Sequence, residues 1–194
     1  MYGYIAGSTA SPGTSRDSGE YTDQLHIRTV GDTFMKIIYN DENVGECPKE
    51  EELHVIRHTA SHVLAQAVKR LYPNASFAYG PATEKGFYYD IDLGDTKLSD
   101  TDLPAIEQEM REIVKANLPI KPSILSREDA LKLMEERKEP YKVEHITDLD
   151  ENEPLSFYQQ GEYIDMCVGP HLIYTKTLKT FKLTGLSGAY WKND

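Results

Sequence analysis

Between Lys49 and Leu71 the chain repeats Leu53, Ile56, Ala60, Val63, Leu64, Ala67 and Leu71 at helical spacing. One apolar stripe of a long helix therefore faces a core, and no other segment constrains the fold as strongly. Tyr72-Pro73-Asn74 stops that helix. Gly80-Pro81 opens a loop, and Gly86 precedes Phe87-Tyr88-Tyr89-Asp90-Ile91-Asp92, an aromatic-rich strand. A second helix is predicted from near Asp102, with Pro104 in its first turn, and a third from Ser126, where Ser126-x-x-Asp129 resembles a capping box. Short strands are predicted over 25–30, 34–39, 142–146, 163–166 and 180–183. Helices interspersed with strands in no regular alternation predict an α+β fold, with a mixed or antiparallel sheet packed against helices.

Residues 1–23, rich in Gly, Ser, Thr and Asp, read as a flexible tail or expression remnant. Residues 24–50 read as a short strand and linker, and 51–194 as the main domain. The composition, 39% hydrophobic and 27% charged, is that of a soluble globular protein. With 21 basic against 32 acidic side chains and a net charge of −11, a wide basic face for long nucleic acid is not expected. A pocket for the end of one is compatible with that charge. Lys176, Lys179 and Lys182 form a small basic cluster that reads as a solvated face. No stretch approaches the roughly 18 apolar residues of a membrane span, so no membrane partner is expected. Nothing marks the chain as secreted. Cys47 and Cys167 make no disulfide framework, and a cytoplasmic location is expected.

Two spacings carry chemistry. His58 and His62, in His58-Thr59-Ala60-Ser61-His62, project one turn apart from one face of the helix. Helical geometry puts that face roughly opposite the apolar stripe, beside Ala65 and Lys69. Thr59 stands where a zinc protease carries its general-base Glu, so that class is excluded. In Asp165-Met166-Cys167-Val168-Gly169-Pro170-His171 the Gly-Pro turn aims Cys167 and His171 at one point. Three imidazoles and one thiol match a tetrahedral zinc site, or a pocket that activates water without metal. Lys142 falls on the predicted strand 142–146 beside apolar and aromatic residues. Tyr88 and Tyr89 point to opposite faces of theirs. No phosphate-cradling Gly-rich loop and no Gly-x-Ser-x-Gly motif is present.

The segments HTASHVLAQAVKRLYP, GPATEKGFYYDIDL, DMCVGPH and TFKLTGLSGAYWKND, in that order, resemble the editing domain of the bacterial threonyl-tRNA synthetases, part of the threonyl/alanyl-tRNA synthetase editing superfamily. The resemblance runs from about His54 to Asp194. It implies an editing-domain fold whose long helix carries the HxxxH pair. It also implies hydrolysis of serine mistakenly esterified to the 3′-terminal adenosine of threonine tRNA. The catalytic positions it implies are His58, His62, Lys142, Asp165, Cys167 and His171. Gly80, Tyr89 and Tyr158 are implied as contacts to the adenosine.

From the threonyl likeness, no metal cofactor is expected. The alternative is an alanyl-type zinc site on His58, His62, Cys167 and His171. A non-catalytic tRNA-binding module is the remaining alternative. The implied partners are the seryl-bearing 3′ end of threonine tRNA and, for an excised domain, the catalytic and anticodon-binding domains of the full synthetase. The ligase core itself is expected to be absent, because the likeness contains no class II catalytic motif.

Overall fold

Helix α1 (Glu52–Leu71) runs through the middle of the molecule, and every residue from Thr59 to Val68 is buried. The sequence predicts one buried stripe and an exposed opposite face. The structure instead covers both, because Ala60, Ala65 and Ala67 keep the helix narrow enough for neighbours to close on it from several sides. Tyr72 N–H bonds Val68 O at 2.7 Å to end the helix ahead of Pro73. The computed structural model of the chain describes residues 2–9 and 34–188.

Two layers cover α1. On one side lies α2 (Leu103–Ala116), whose Ile106, Met110 and Ile113 are fully buried. Pro104 sits in its first turn as predicted, and Asn117 closes it in the left-handed conformation. The other layer is an antiparallel four-stranded sheet of β1 (Tyr2–Thr9), β4 (Ser76–Phe77), β5 (Phe87–Asp92) and β10 (Phe181–Gly188), ordered β10-β1-β5-β4. In β5 alternate residues Phe87, Tyr89 and Ile91 are buried, so one face of the strand enters the core.

Residues 2–9 were expected to belong to a tail, and here the structure corrects the sequence reading. They form an inner strand, with Tyr4 opposite Asp90 on one side and Ser187 on the other. Local composition gives no hint of this, since the strand is held by pairing with segments distant in sequence. The expected strand 25–30 lies outside the described residues.

Within residues 24–50, read as short strand and linker, one strand falls inside the predicted 34–39 and a second lies in the expected linker. β2 (Lys36–Ile38) pairs with β3 (Val44–Glu46) and with β9 (His171–Leu172) in a second antiparallel sheet. A third sheet, β6 (Ile120–Leu125), β7 (Leu155–Gln160) and β8 (Tyr163–Met166), is antiparallel throughout. Against β7 pack α3 (Arg127–Glu136) and α4 (Pro140–Asp148), giving a small separate core of Ala130, Met134, Ile146, Leu155 and Phe157. Ser126 caps α3 as predicted, accepting the Asp129 N–H at 3.1 Å.

Residues 142–146, predicted as a strand, are helical in α4. Pro140 occupies its first turn, where a missing N–H costs nothing, and Lys142 and Ile146 face inward at i,i+4. The architecture is α+β with antiparallel sheets, in agreement with the predicted class. Among the described residues no helix is long and apolar enough to cross a membrane.

Candidate functional site

One cleft lies where α1, α4, β5 and β8 meet, and two chemically different walls line it. The first is built of imidazoles. His58 and His62 on α1 meet His171 on β9, with ring centroids 4.1 and 4.3 Å from that of His171. The turn between β8 and β9 bends as its Gly-Pro predicts, and brings Cys167 Sγ within 3.2 Å of His171 Nε2. Gly169 is required in that turn, because a Cβ there would lie 1.9 Å from the Tyr158 hydroxyl oxygen. Asn40 ties the turn down: its Oδ1 accepts the Gly169 N–H at 3.1 Å and the Tyr158 hydroxyl at 2.7 Å.

Thr59 fixes His171 from behind. Its Oγ1 accepts the Leu172 N–H at 3.1 Å and lies 3.1 Å from His171 Nδ1. Burial keeps this wall neutral. Desolvation, reinforced by His62 and His54, lowers His58 to about 3. Desolvation lowers His62 to about 4 although Asp165 opposes it. His171 falls well below the usual histidine range for the same reason, with the neighbouring His58 and His62 adding to it. The Cys167 thiol is pushed well up by burial and then by Asp165, so it stays protonated and is a poor nucleophile.

The second wall centres on a buried ion pair. Lys142 Nζ lies 2.8 Å from Asp165 Oδ1, with both side chains almost fully enclosed. The Tyr89 hydroxyl donates to Asp165 Oδ2, and the Tyr163 hydroxyl reaches the same oxygen at 3.4 Å. Lys142 also donates to the Tyr89 hydroxyl at 3.2 Å and to Met166 O at 3.4 Å. Desolvation alone would raise the Asp165 carboxyl. The charges of Lys142 and His62, with hydrogen bonds from Lys142 and Tyr89, outweigh it and hold the group below the usual carboxylate range. Burial, then Asp165, drives Tyr89 well above the usual phenol range, so it remains a donor. His62 Nε2, 3.8 Å from Asp165 Oδ2, joins the two walls.

Within this cleft sits part of a recognised domain. The family described as the threonyl and alanyl tRNA synthetase second additional domain matches residues 155–193, the stretch from β7 onward that contains Asp165, Cys167 and His171. The chain is similar to that family over this stretch. Its similarity to threonine–tRNA ligases covers much more of the chain. It is 54% identical to that of Acetivibrio thermocellus over 138 residues, which are 71% of this chain and 22% of the relative. It is 52% identical to that of Clostridioides difficile over 154 residues, 79% of this chain and 24% of the relative. For the Clostridium novyi ligase the identity is 51% over 177 residues, 91% of this chain and 26% of the relative. The chain thus spans only 22% to 26% of the length of these three proteins.

His58, His62, Lys142, Asp165, Cys167, Gly80 and Tyr89 all line one cleft, and His171 stands directly behind Cys167. Gly80 serves close packing there, since a Cβ would fall 2.3 Å from the Tyr89 ring. Tyr158 does not line the cleft. It is buried behind the Cys167 turn, with its ring 4.5 Å from that of His171. Of the basic cluster near the C-terminus, Lys182 is engaged by Glu107 at 3.3 Å.

Several residues of the site escape sequence reasoning. Tyr163 was detectable, because it stands two positions before Asp165 on one strand and so shares its face. Glu139 gave no signal. Its carboxylate accepts Lys69 Nζ of α1 at 2.9 Å and the Phe77 N–H of β4 at 2.8 Å, and so anchors the start of α4 one turn before Lys142. As donors for a metal, the His58, His62, Cys167 and His171 atoms all lie within 4.8 Å of one another. That set suits zinc, and Thr59 stands at His171 Nδ1, where a ligating histidine needs an outer partner.

Proposed function

We propose that this domain removes serine wrongly esterified to the 3′ end of threonine tRNA, by hydrolysis, as the editing part of a threonine–tRNA ligase. The observation that carries the reading is the buried Lys142–Asp165 pair facing neutral histidines across one cleft. An ester at a ribose hydroxyl is already activated, so hydrolysis needs a placed water and stabilisation of the developing oxyanion. His58, held neutral, has a free lone pair to orient the water. The Lys142 ammonium donates to the ester carbonyl oxygen as it gains charge. Water oxygen bonds to the acyl carbon, the bond to the ribose oxygen breaks, and the water proton passes to that oxygen. The products are free serine and the uncharged tRNA end.

Asp165 has lone pairs beyond those taken by Lys142 and the two tyrosines, and a free α-amino group would add a charge-assisted hydrogen bond there. The protonated Cys167 acts as a wall rather than a nucleophile. Threonine is rejected because its extra methyl group meets the enclosed end of the cleft or displaces the water. The remaining domains of the synthetase, catalytic and anticodon-binding, hold the tRNA body, and the setting is the cytoplasm.

The clustering of the four donors favours a second reading, in which His58, His62, Cys167 and His171 hold zinc. Held by three of these donors, with the fourth position left open, zinc would supply a polarised water at neutral pH. Elemental analysis of the purified chain separates the two readings, as does activity after chelation. Deacylation of seryl- against threonyl-tRNA, with Lys142→Ala and His58→Ala alongside, tests the function itself. Serine-selective hydrolysis that both substitutions abolish is the expected result. Equal rates on the two substrates, or none at high enzyme concentration with the partner domains supplied, would refute the function.

A further inference from the structure

The turn that carries Cys167 and His171 is backed by a part of the chain outside the segments that resemble an editing domain. There β2 runs beside β9, with Ile38 opposite His171 and Ile37 opposite Leu172. Ile38, Ile120 and Tyr158 form a small buried cluster of their own, and Cys167 packs against it. Two residues beyond Ile38, at the tip of the β2–β3 hairpin, stands Asn40. The tip is closed by the Tyr39 N–H to Asn43 O at 3.0 Å and the Glu42 N–H to Tyr39 O at 3.1 Å. Glu42 takes the left-handed conformation that such a reversal needs, and Asp41 Oδ1 accepts the Asn43 N–H at 3.1 Å. Asn40 is therefore presented to the turn by a hairpin tip whose closing bonds all lie within residues 39–43.

We propose that Asn40 is a positioning residue for the imidazole wall, fixing where Cys167 and His171 stand by bridging Gly169 and Tyr158. Its effect on ester cleavage rests on the hydrolytic reading above; its hold on the turn does not. The bridge is a single atom. Oδ1 accepts both the Gly169 N–H at 3.1 Å and the Tyr158 hydroxyl at 2.7 Å. A backbone N–H can only donate, so the amide has one orientation there. Tyr158 has a second acceptor in Ile38 O, but at 3.5 Å. Without Asn40, Tyr158 can turn to Ile38, whereas the Gly169 N–H loses the acceptor that the hairpin supplies. Both links lead to the wall. Tyr158 packs on His171 with ring centroids 4.5 Å apart, and its hydroxyl leaves no room for a side chain at position 169. Gly169 lies between Cys167 and His171, and the Pro170 carbonyl of the same turn acts on His58 as an acceptor. A turn that shifts therefore carries with it Cys167 Sγ, the His171 ring and the carbonyl that His58 faces. This gives Tyr158, which does not line the cleft, a part in the site.

The test uses the full chain and two measurements. One is hydrolysis of a short RNA bearing serine on its 3′-terminal adenosine. The other is alkylation of the two thiols by iodoacetamide, located by peptide mass spectrometry. Cys47 is buried in the main core and serves as the internal control for general loosening. In Asn40→Ala the expected kcat is about ten- to a hundredfold lower, with KM little changed. Alkylation at Cys167 becomes about tenfold faster while Cys47 keeps its rate. Asn40→Asp, which keeps an acceptor for both donors, restores most of kcat and of the slow alkylation. Tyr158→Phe keeps the ring and the Gly169 bond, so it shows smaller changes in the same directions, and it carries the test if Asn40→Ala does not fold. Unchanged kcat and unchanged Cys167 reactivity, equal acceleration at both thiols, or no rescue by Asn40→Asp overturns the assignment. If the wild type leaves the ester intact, the hydrolytic reading fails, and the thiol rates alone decide whether Asn40 holds the turn.

Discussion

The two walls of the cleft are made in opposite ways. The imidazole wall comes from two local patterns, an i,i+4 pair on a long helix and a tight turn between short strands. It is neutral, because three imidazoles and a thiol packed out of water do not bear charge. The ion-pair wall is assembled from α4, β5 and β8, and it remains charged despite similar burial because each charge has a partner. Burial neutralises the groups that lack a close enough partner and pairing keeps the others charged, so the two walls should respond differently when a partner is removed or the pH is changed.

The largest effect is expected from breaking the pair. Lys142→Met leaves the Asp165 carboxylate buried without its cation, which costs about 3–5 kcal/mol. Denaturant unfolding would read this as a lower midpoint at unchanged slope. Adding Asp165→Leu should restore much of the lost stability while ester hydrolysis stays abolished, since a buried pair can be replaced by apolar side chains at little net cost. If the double variant is less stable than Lys142→Met alone, the pair is not an isolated electrostatic unit and the contrast between the walls fails.

Acid should take the walls apart in sequence. The folded-state pKa values of His58 and His62, about 3 and about 4, lie below the ordinary 6.5. Between those values the unfolded chain binds more protons than the folded one, so stability present above pH 6.5 is lost as the pH falls toward 4 and then 3. For His62 alone the loss is on the order of 3 kcal/mol. Asp165, held below its ordinary value of 3.8, adds its own loss only under that pH. Chemical denaturation at successive pH values should show the first phase diminish in His62→Gln and the second persist. Hydrolysis should show no inflection near pH 6.5, where an ordinary histidine base would titrate.

Legibility in the sequence followed the same division. The imidazole wall could be read because its spacings are short: His58 with His62, and Cys167 with His171. The placement of α2 and α3 could be read for the same reason, from Pro104 and from the Ser126 cap. The charged wall could not. Lys142 was visible as a residue but was assigned to a strand, because Tyr141, Val143 and Ile146 have the composition of one. What makes the segment a helix is Pro140 at its start and packing against β7, a tertiary condition. The tail-like residues 2–9 became an inner strand through pairing with β5 and β10, again at long range. Tyr158 matched a motif position, yet its side chain packs behind the Cys167 turn, and position in a motif does not report which way a side chain faces.

The smallest expected effect concerns what holds the charged wall in register. Glu139 is buried at the start of α4, bonded to Lys69 of α1 and to the Phe77 N–H of β4. Burial raises its carboxyl, with Lys69 opposing, so much of its value to the fold lies in the two hydrogen bonds rather than in net charge. Glu139→Ala should therefore cost about 1–3 kcal/mol by leaving the buried Phe77 N–H unsatisfied. It should also free the first turn of α4 and let Lys142 drift from Asp165. A drift of about 1 Å in a positioning contact can lower kcat by up to about 100-fold with little change in KM. Glu139→Gln keeps an acceptor for Phe77 and loses only the Lys69 charge, so it should rescue most of kcat. A second signature separates positioning from mere stability: with Lys142 displaced, the carboxylate of Asp165 loses its strongest support, and the acid limb of the rate profile moves to higher pH. If Glu139→Ala lowers stability but leaves both kcat and that limb in place, then α4 is positioned by its packing on β7, and Glu139 is not what holds the charged wall in register.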